Sequence, residues 1–283
     1  MNIEKNKILD SEGKKPILYD LYYSSTGTQK PVILFCHGYK GFKDWGAWHL
    51  VAESFANAGF FFIKFNFSHN GGTTLNPIDF PDLDAFAKNN YSLELEDLHR
   101  MINFITIEKS YSSEIDLEKI NLIGHSRGGG IVLIKAEEDS RVKTVTTWAG
   151  TSDFKVRFQE ETETFQLWKK TGITHIENGR TKQLMPHYFQ FYTDFIENEE
   201  RLTIKRAVQN LNIAQLIIQG AEDPTVTKEE AQALHQWNIE SQLKIIENAD
   251  HVFGAKHPWE EDQLSEDLTK TVALTIKFLK QNI

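Results

Sequence analysis

The run Gly124-His125-Ser126-Arg127-Gly128, with Gly129 and Gly130 after it, sets a serine between glycines. A strand-like stretch, 119–123, precedes it and a helix-like stretch from Arg127 to Glu138 follows. G-x-S-x-G in that context is the pattern of a nucleophile elbow, a tight turn whose flanking positions leave no room for side chains. The plainer alternative is a glycine turn whose serine caps the helix. A serine hydroxyl is a weak nucleophile until a base takes its proton. Of the ten histidines, His251 is best placed, in the loop Asn248-Ala249-Asp250-His251 after a late strand. His257 competes, but it reads more simply as the N-cap before Pro258. His235 falls in a helical stretch and is expected to be structural. His175 and His187 could contact substrate.

The base needs a carboxylate that fixes its tautomer and stabilises the imidazolium. Asp223, in Gly220-Ala221-Glu222-Asp223-Pro224, lies past the carboxyl end of a predicted strand, where open parallel sheets place their ligands. Glu222, Asp153 and Asp250 are the other contenders. An oxyanion must also be held, and backbone N–H groups serve that purpose. The first apolar strand ends in His37-Gly38-Tyr39-Lys40-Gly41, so the amides of Tyr39 and Arg127 are the expected donors. Gly38, His125, Trp148, Phe154 and Phe191 are expected to contact the substrate.

These residues need a scaffold, and the chain alternates strand and helix. Ile3–Leu9 and Ile17–Tyr23 flank the turn Asp10-Ser11-Glu12-Gly13 and read as a hairpin. Pro31–Cys36 is a short continuous apolar run, suited to a buried central strand. Residues 47–58 form a helical pattern closed by Gly59, Phe60–Phe67 a strand, and Tyr91–Ile107 a helix. Strands follow at 119–123, 143–149, 214–219 and 243–247. Thr227 opens a helix with Glu230 three residues on, a capping-box spacing. Pro258 is expected to open the last helix, since proline suits the first helical position. The arrangement predicts an α/β fold: a mostly parallel central sheet with helices on both faces.

One interval breaks the rhythm. From Gly150 to about Leu211 no buried strand is evident, and the segment is rich in aromatics: Phe154, Phe158, Phe165, Trp168, Tyr188, Phe189, Phe191, Tyr192 and Phe195. It reads as a helical cap over a pocket; surface helices packed on the domain are the alternative. The expected organisation is one domain, with residues 1–150 and 212–283 as core and 151–211 as cap. Glu94, Glu96 and Asp97 lie on one helix and read as a solvated face. Ser68–Thr74 is glycine-rich without the Gly-x-x-x-x-Gly-Lys of a phosphate loop. It reads as a loop at the pocket mouth, where His69 and Asn70 could touch substrate.

Composition narrows the partners. The 283 residues carry 40 acidic against 31 basic side chains, a net charge of −9 that disfavours non-specific nucleic-acid binding. The single cysteine, Cys36, excludes an internal disulfide framework and a thiolate-rich zinc site. No metal and no cofactor are expected, and Cys36 reads as a small core hydrophobe. Charges at Glu4, Lys5, Lys7 and Asp10 interrupt any secretory apolar run, and no stretch approaches the ~20 apolar residues of a membrane span. A cytoplasmic protein acting on a small molecule, away from membranes, is the expectation.

His37-Gly38, Gly124–Gly128, Gly220–Asp223 and Asn248–His251 occur in the order and strand context of the α/β-hydrolase superfamily. The chain resembles that family over nearly its whole length. The run His37–Gly46 with Gly-His-Ser-Arg-Gly-Gly is similar to bacterial serine hydrolases of the dienelactone-hydrolase and prolyl-oligopeptidase-like branches, and to feruloyl (cinnamoyl) esterases. The resemblance implies carboxylic-ester hydrolysis through an acyl-enzyme, without a cofactor. Dienelactone hydrolases use a cysteine nucleophile where this elbow has Ser126, which argues against lactone specificity. The propeller of prolyl oligopeptidases has no room here. Dehalogenases and epoxide hydrolases carry an aspartate at the elbow and are disfavoured. Amide or thioester cleavage by the same machinery is the alternative activity, and a ligand-binding pseudoenzyme the alternative class.

Overall fold

Continuous apolar runs in consecutive strands call for a sheet that is covered on both faces. The computed structural model, which describes residues 1–283, has that form. Strands β1 (Asn2–Leu9) and β2 (Ile17–Tyr23) make the expected hairpin. Next come β3 (Lys30–Cys36), α1 (Trp48–Asn57), β4 (Phe61–Phe65), α2 (Leu83–Ala87), α3 (Tyr91–Ile107), β5 (Ile115–His125), α4 (Arg127–Glu138) and β6 (Val142–Trp148). A long connection then carries α5 (Glu163–Thr171), β7 (Ile173–Glu177), β8 (Leu184–Tyr188), α6 (Gln190–Glu197), α7 (Glu199–Leu202) and α8 (Ile204–Gln209). The chain closes with β9 (Ala214–Gly220), α9 (Lys228–Trp237), β10 (Gln242–Ile246) and α10 (Glu266–Asn282).

Eight strands form one sheet in the order β1-β2-β4-β3-β5-β6-β9-β10. The β1–β2 and β2–β4 pairs are antiparallel and the remaining pairs are parallel. Side chains alternate across a strand. In β3, Val32, Leu34 and Cys36 enter the core beneath α3, α4, α8 and α9, while Ile33 and Phe35 enter the core beneath α1 and α10. Cys36 is a buried free thiol packed as a hydrophobe. No helix is long and apolar enough to cross a membrane.

A ring of four charges lies inside the fold. Lys64 Nζ contacts Asp20 Oδ2 at 2.7 Å and Asp44 Oδ1 at 2.5 Å. Lys43 Nζ contacts Asp20 Oδ1 at 2.8 Å and Asp44 Oδ2 at 2.6 Å. Asp20 comes from β2 and Lys64 from β4, and Lys43 and Asp44 from the loop after β3. The ring therefore ties that loop to two strands.

The structure corrects four local expectations. The segment after β6 is not wholly helical: β7 and β8 pair as an antiparallel hairpin apart from the main sheet. Most of β7 is exposed, and β8 contains Pro186, so neither shows the alternation or composition of a buried strand. The last helix opens at Ser265, whose hydroxyl accepts from the Leu268 amide at 3.2 Å, rather than at Pro258. His257 is no helix cap; its Nδ1 accepts from the Gly46 amide at 2.9 Å. The Thr227–Glu230 capping box does not form, because Glu230 turns away to the Ser152 amide and the Arg157 guanidinium.

Removing one member of a buried ion network strands its partners without compensation and costs about 3–5 kcal/mol. Lys64→Met, which leaves two carboxylates to Lys43 alone, is expected to lower the unfolding free energy by about that amount, read from urea denaturation. A change under about 1 kcal/mol would show that the ring carries no such constraint.

Candidate active site

The elbow is built by steric exclusion. Ser126 sits between β5 and α4 with φ 57° and ψ −123°, a conformation L-residues rarely adopt. A Cβ on Gly124 would lie 2.2 Å from the Gly128 carbonyl oxygen, and one on Gly128 would lie 2.5 Å from the Cys36 oxygen. Strand and helix thus meet where only hydrogen fits, and the serine side chain is pushed outward.

His251 and Asp223 meet it there. His251 Nε2 lies 3.0 Å from Ser126 Oγ, and His251 Nδ1 lies 2.7 Å from Asp223 Oδ2. With the proton on Nδ1, the imidazole donates to the carboxylate and accepts from the hydroxyl. Asp223 is itself held in place: Oδ1 accepts from the amides of Thr225 at 2.8 Å and Val226 at 3.0 Å, and Oδ2 accepts from Gln219 Nε2 at 3.0 Å. Burial pushes the Asp223 carboxyl up. The hydrogen bond and charge of His251 and the two amides outweigh this and hold it below the usual carboxylate range. Of the other acids, Asp153 is turned to the amide of Lys155, and Asp250 to those of Val252 and Gly254.

The loop after β3 runs directly against the serine: a Cβ on Gly38 would come 2.7 Å from Ser126 Cβ. His37 supports the loop from behind, donating Nδ1–H to the Gly38 carbonyl at 2.9 Å and accepting at Nε2 from the Phe67 amide at 3.3 Å. Arg127 occupies the first helical position of α4, where a backbone N–H has no intrahelical acceptor. Above these groups opens a cavity of about 460 Å³. Tyr39, Ser126 and Arg127 contribute to its wall, with Tyr91, Phe154, Phe158, Phe165, Trp168 and Phe191 as aromatic lining. The β7–β8 hairpin adds His175 and His187. The Tyr39 hydroxyl donates to His187 Nε2 at 2.7 Å. Tyr91 stacks on Phe154 with ring centroids 3.8 Å apart, joining α3 to the segment after β6.

A sequence profile of the α/β-hydrolase fold matches residues 31–172. The chain belongs to the α/β-hydrolase family. A search of curated proteins gives no match. Among solved structures, Est1E from Butyrivibrio proteoclasticus with ferulic acid bound is similar at TM-score 0.74 and 15% identity, covering 98% of each chain. The esterase domain of a Rhodothermus marinus protein is similar at TM-score 0.66 and 18% identity, covering 99% of each. A dienelactone hydrolase from Anabaena variabilis is similar at TM-score 0.64 and 18% identity, covering 100% of this chain and 98% of that one. At these identities the likeness speaks for the fold.

This α/β-hydrolase departs from the sequence reading in several side chains. Trp148 does not reach the cavity. It is fully buried under α10, donating Nε1–H to Thr275 Oγ1 at 3.0 Å and packing on Phe35 and Trp48, because strand alternation turns it to the other sheet face. His125 also lies off the cavity, donating Nε2–H to the His251 carbonyl at 2.8 Å, so it braces the loop that carries His251. His69 and Asn70 do not line the cavity either. His69 bonds Ser68 Oγ, while Asn70 donates to the Gly41 carbonyl and accepts from the Gly72 amide. His235 is structural, bonded to Ser241 Oγ at 2.8 Å.

The acids on α3 are the largest correction. Glu94 and Asp97 are 4% and 2% exposed, not a solvated face. Glu94 Oε1 accepts from Asn89 Nδ2 at 2.7 Å and from Arg127 Nη1 at 3.3 Å. Asp97 Oδ2 accepts from the Ser68 amide at 2.7 Å, and Oδ1 from Arg100 Nη1 at 2.9 Å. A signal was present: Tyr91, Glu94, Leu95 and Leu98 fall at i, i+3, i+4 and i+7, so Glu94 occupies a core position of the helix.

Three site histidines are buried in neutral form. Burial drops His37 from 6.5 to about 4, His125 to about 3 and His187 to about 3, with neighbouring positive groups adding to the shift. Their folded values are depressed, so the unfolded chain binds protons first as pH falls. Their stabilisation is complete above about pH 6.5 and is lost as pH drops toward 3. Each contributes a slope of about 1.4 kcal/mol per pH unit in that window. His187→Phe is expected to flatten the decline of unfolding free energy between pH 6 and 4 by about one such slope, measured by urea denaturation at stepped pH. An unchanged slope would contradict a neutral buried His187.

Proposed function

We propose that this α/β-hydrolase cleaves carboxylic esters through an acyl-enzyme on Ser126. The observation that carries the reading is the unbroken hydrogen-bonded path from Ser126 Oγ through His251 to Asp223, opening onto an aromatic cavity. Ser126 Oγ attacks the ester carbonyl while His251 Nε2 takes its proton. Charge on the carbonyl oxygen is received by the amides of Tyr39 and Arg127. His251 then gives the proton to the departing alcohol oxygen. Water, deprotonated by His251, attacks the acyl-enzyme and releases the acid. Asp223 keeps the imidazole oriented and stabilises its protonated form.

Residues 151–211 serve in this reading as a cap whose aromatics, Phe154 and Phe191 among them, receive an apolar or aromatic part of the substrate. The ferulic acid bound by Est1E has the size and character that such a wall accommodates.

Ser126→Ala is expected to reduce hydrolysis of 4-nitrophenyl acetate by at least about 10³-fold with the fold intact by circular dichroism. Asp223→Asn, which leaves the imidazole in the wrong tautomer, is expected to cost roughly 10²–10⁴-fold. A fluorophosphonate probe should label Ser126 in the native chain. Initial rates on matched ester, thioester and anilide substrates then rank the leaving groups. Full activity in Ser126→Ala, or faster anilide than ester turnover, would sink the assignment.

A further inference from the structure

The charge of the cavity runs against that of the chain. Acidic residues outnumber basic ones by 40 to 31, yet the cavity lining contains Arg127 and Arg157 and neither Asp nor Glu. Arg157 is already engaged, paired with Glu230 and donating to the Thr225 carbonyl. Arg127 is different. Its guanidinium has one protein acceptor, Glu94 Oε1, reached by Nη1 at 3.3 Å. The donors on Nε and Nη2 have none, and the side chain keeps 15% of its surface open, on the cavity side.

The guanidinium is fixed in that pose. Its carbon lies 4.4 Å from the Tyr39 ring centroid and 5.3 Å from those of Tyr91 and Phe191. Three rings and one carboxylate hold the plane still, so binding a ligand to its free edge costs little further side-chain entropy. Lys40 adds a second positive charge nearby, its Nζ 5.1 Å from the Tyr39 ring centroid. The one carboxylate paired with Arg127 is Glu94, which lies outside the cavity wall. Burial also pushes the Glu94 carboxyl up despite the adjacent Arg127, which weakens it as a counter-ion. A buried guanidinium with unpaired donors is complemented best by a carboxylate, whose two oxygens match its fork.

We infer that the cavity takes esters that carry a free carboxylate, and that the Arg127 side chain binds it from beside the elbow. The inference rests on the ester-hydrolase reading and narrows it to acidic substrates. The Arg127 backbone amide and its side chain then do separate work: the amide faces the reacting carbonyl, and the guanidinium reads a remote charge.

Ligand binding tests this apart from turnover. Ser126→Ala protein is titrated calorimetrically with benzyl butyrate and two charged relatives: monobenzyl glutarate, with the carboxylate on the acyl side, and 4-carboxybenzyl butyrate, with it on the alcohol side. At least one charged ligand is expected to bind tenfold or more tightly than benzyl butyrate. Adding Arg127→Met with Glu94→Gln, so that no lone carboxylate stays buried, is expected to bring the ligands level. Should that combination fail to fold, Arg127→Lys, which keeps charge but loses the fork, is expected to cut the preference at least threefold. Equal binding of all three ligands, or a preference that survives these changes, overturns the inference. Hydrolysis of benzyl butyrate by the native chain separately tests the ester reading. A carboxylate preference without that hydrolysis would keep the subsite and discard the reaction.

Discussion

The site depends on one steric fact: at the carboxyl end of β5 the chain passes so close to itself that side chains are excluded. Gly124 and Gly128 each occupy a place where a Cβ would meet backbone oxygen within 2.5 Å. The residue at the apex of the turn, Ser126, is held in a strained backbone conformation with its hydroxyl outward. The other groups are brought to that point. The parallel strands β3, β5 and β9 end along the same edge, and the loops that follow them deliver Tyr39, Ser126 and Asp223. Those loops are the usual ligand side of an open α/β sheet.

Loops need restraint if they are to hold sub-ångström geometry, and here much of it is ionic and buried. The Lys43–Asp20–Lys64–Asp44 ring pins the loop after β3. Asp97 pins the loop after β4 through the Ser68 amide, and Glu230 joins the segment after β6 to the first turn of α9. Buried ion pairs add little net stability over apolar packing, because desolvation offsets attraction. They do have sharp positional requirements. Their value in this molecule is that a loop satisfying four charges at once has few alternative conformations.

Much of this was legible in the sequence. The elbow, the order of Ser126, Asp223 and His251, the hairpin at the start and the α3 boundaries all follow from local patterns: glycine spacing, apolar runs and helical periodicity. What escaped was decided at longer range. Glu94 and Asp97 looked solvated because charge usually is, and the partners that complete their burial alongside Asn89 and Arg100, namely Arg127 and the Ser68 amide, are distant in sequence. Trp148 was misplaced because sequence proximity to a strand end does not say which sheet face a residue takes. The β7–β8 hairpin escaped because β7 buries little and β8 contains proline. Glu230 fits a local capping box by spacing, but Arg157 and Ser152 outcompete the Thr227 amide for its carboxylate.

Strands β6 and β9 pair in continuous register, Thr144 opposite Ala214 through to Trp148 opposite Ile218, although the whole segment with α5, β7, β8 and α6 intervenes. The register of the sheet runs unbroken across that excursion. Loop-closure entropy grows only slowly with chain length, so insertions at the exposed β7 cost the sheet little, while Phe195, Ile204 and Val208 of the same segment stay in the core. Variation can therefore accumulate in the aromatic wall while Ser126, His251 and Asp223 stay on an undisturbed frame. Under the proposed function the two halves of the cavity are separable in evolutionary terms: one would set what chemistry is done, and the other would be free to drift toward new molecules on which to do it.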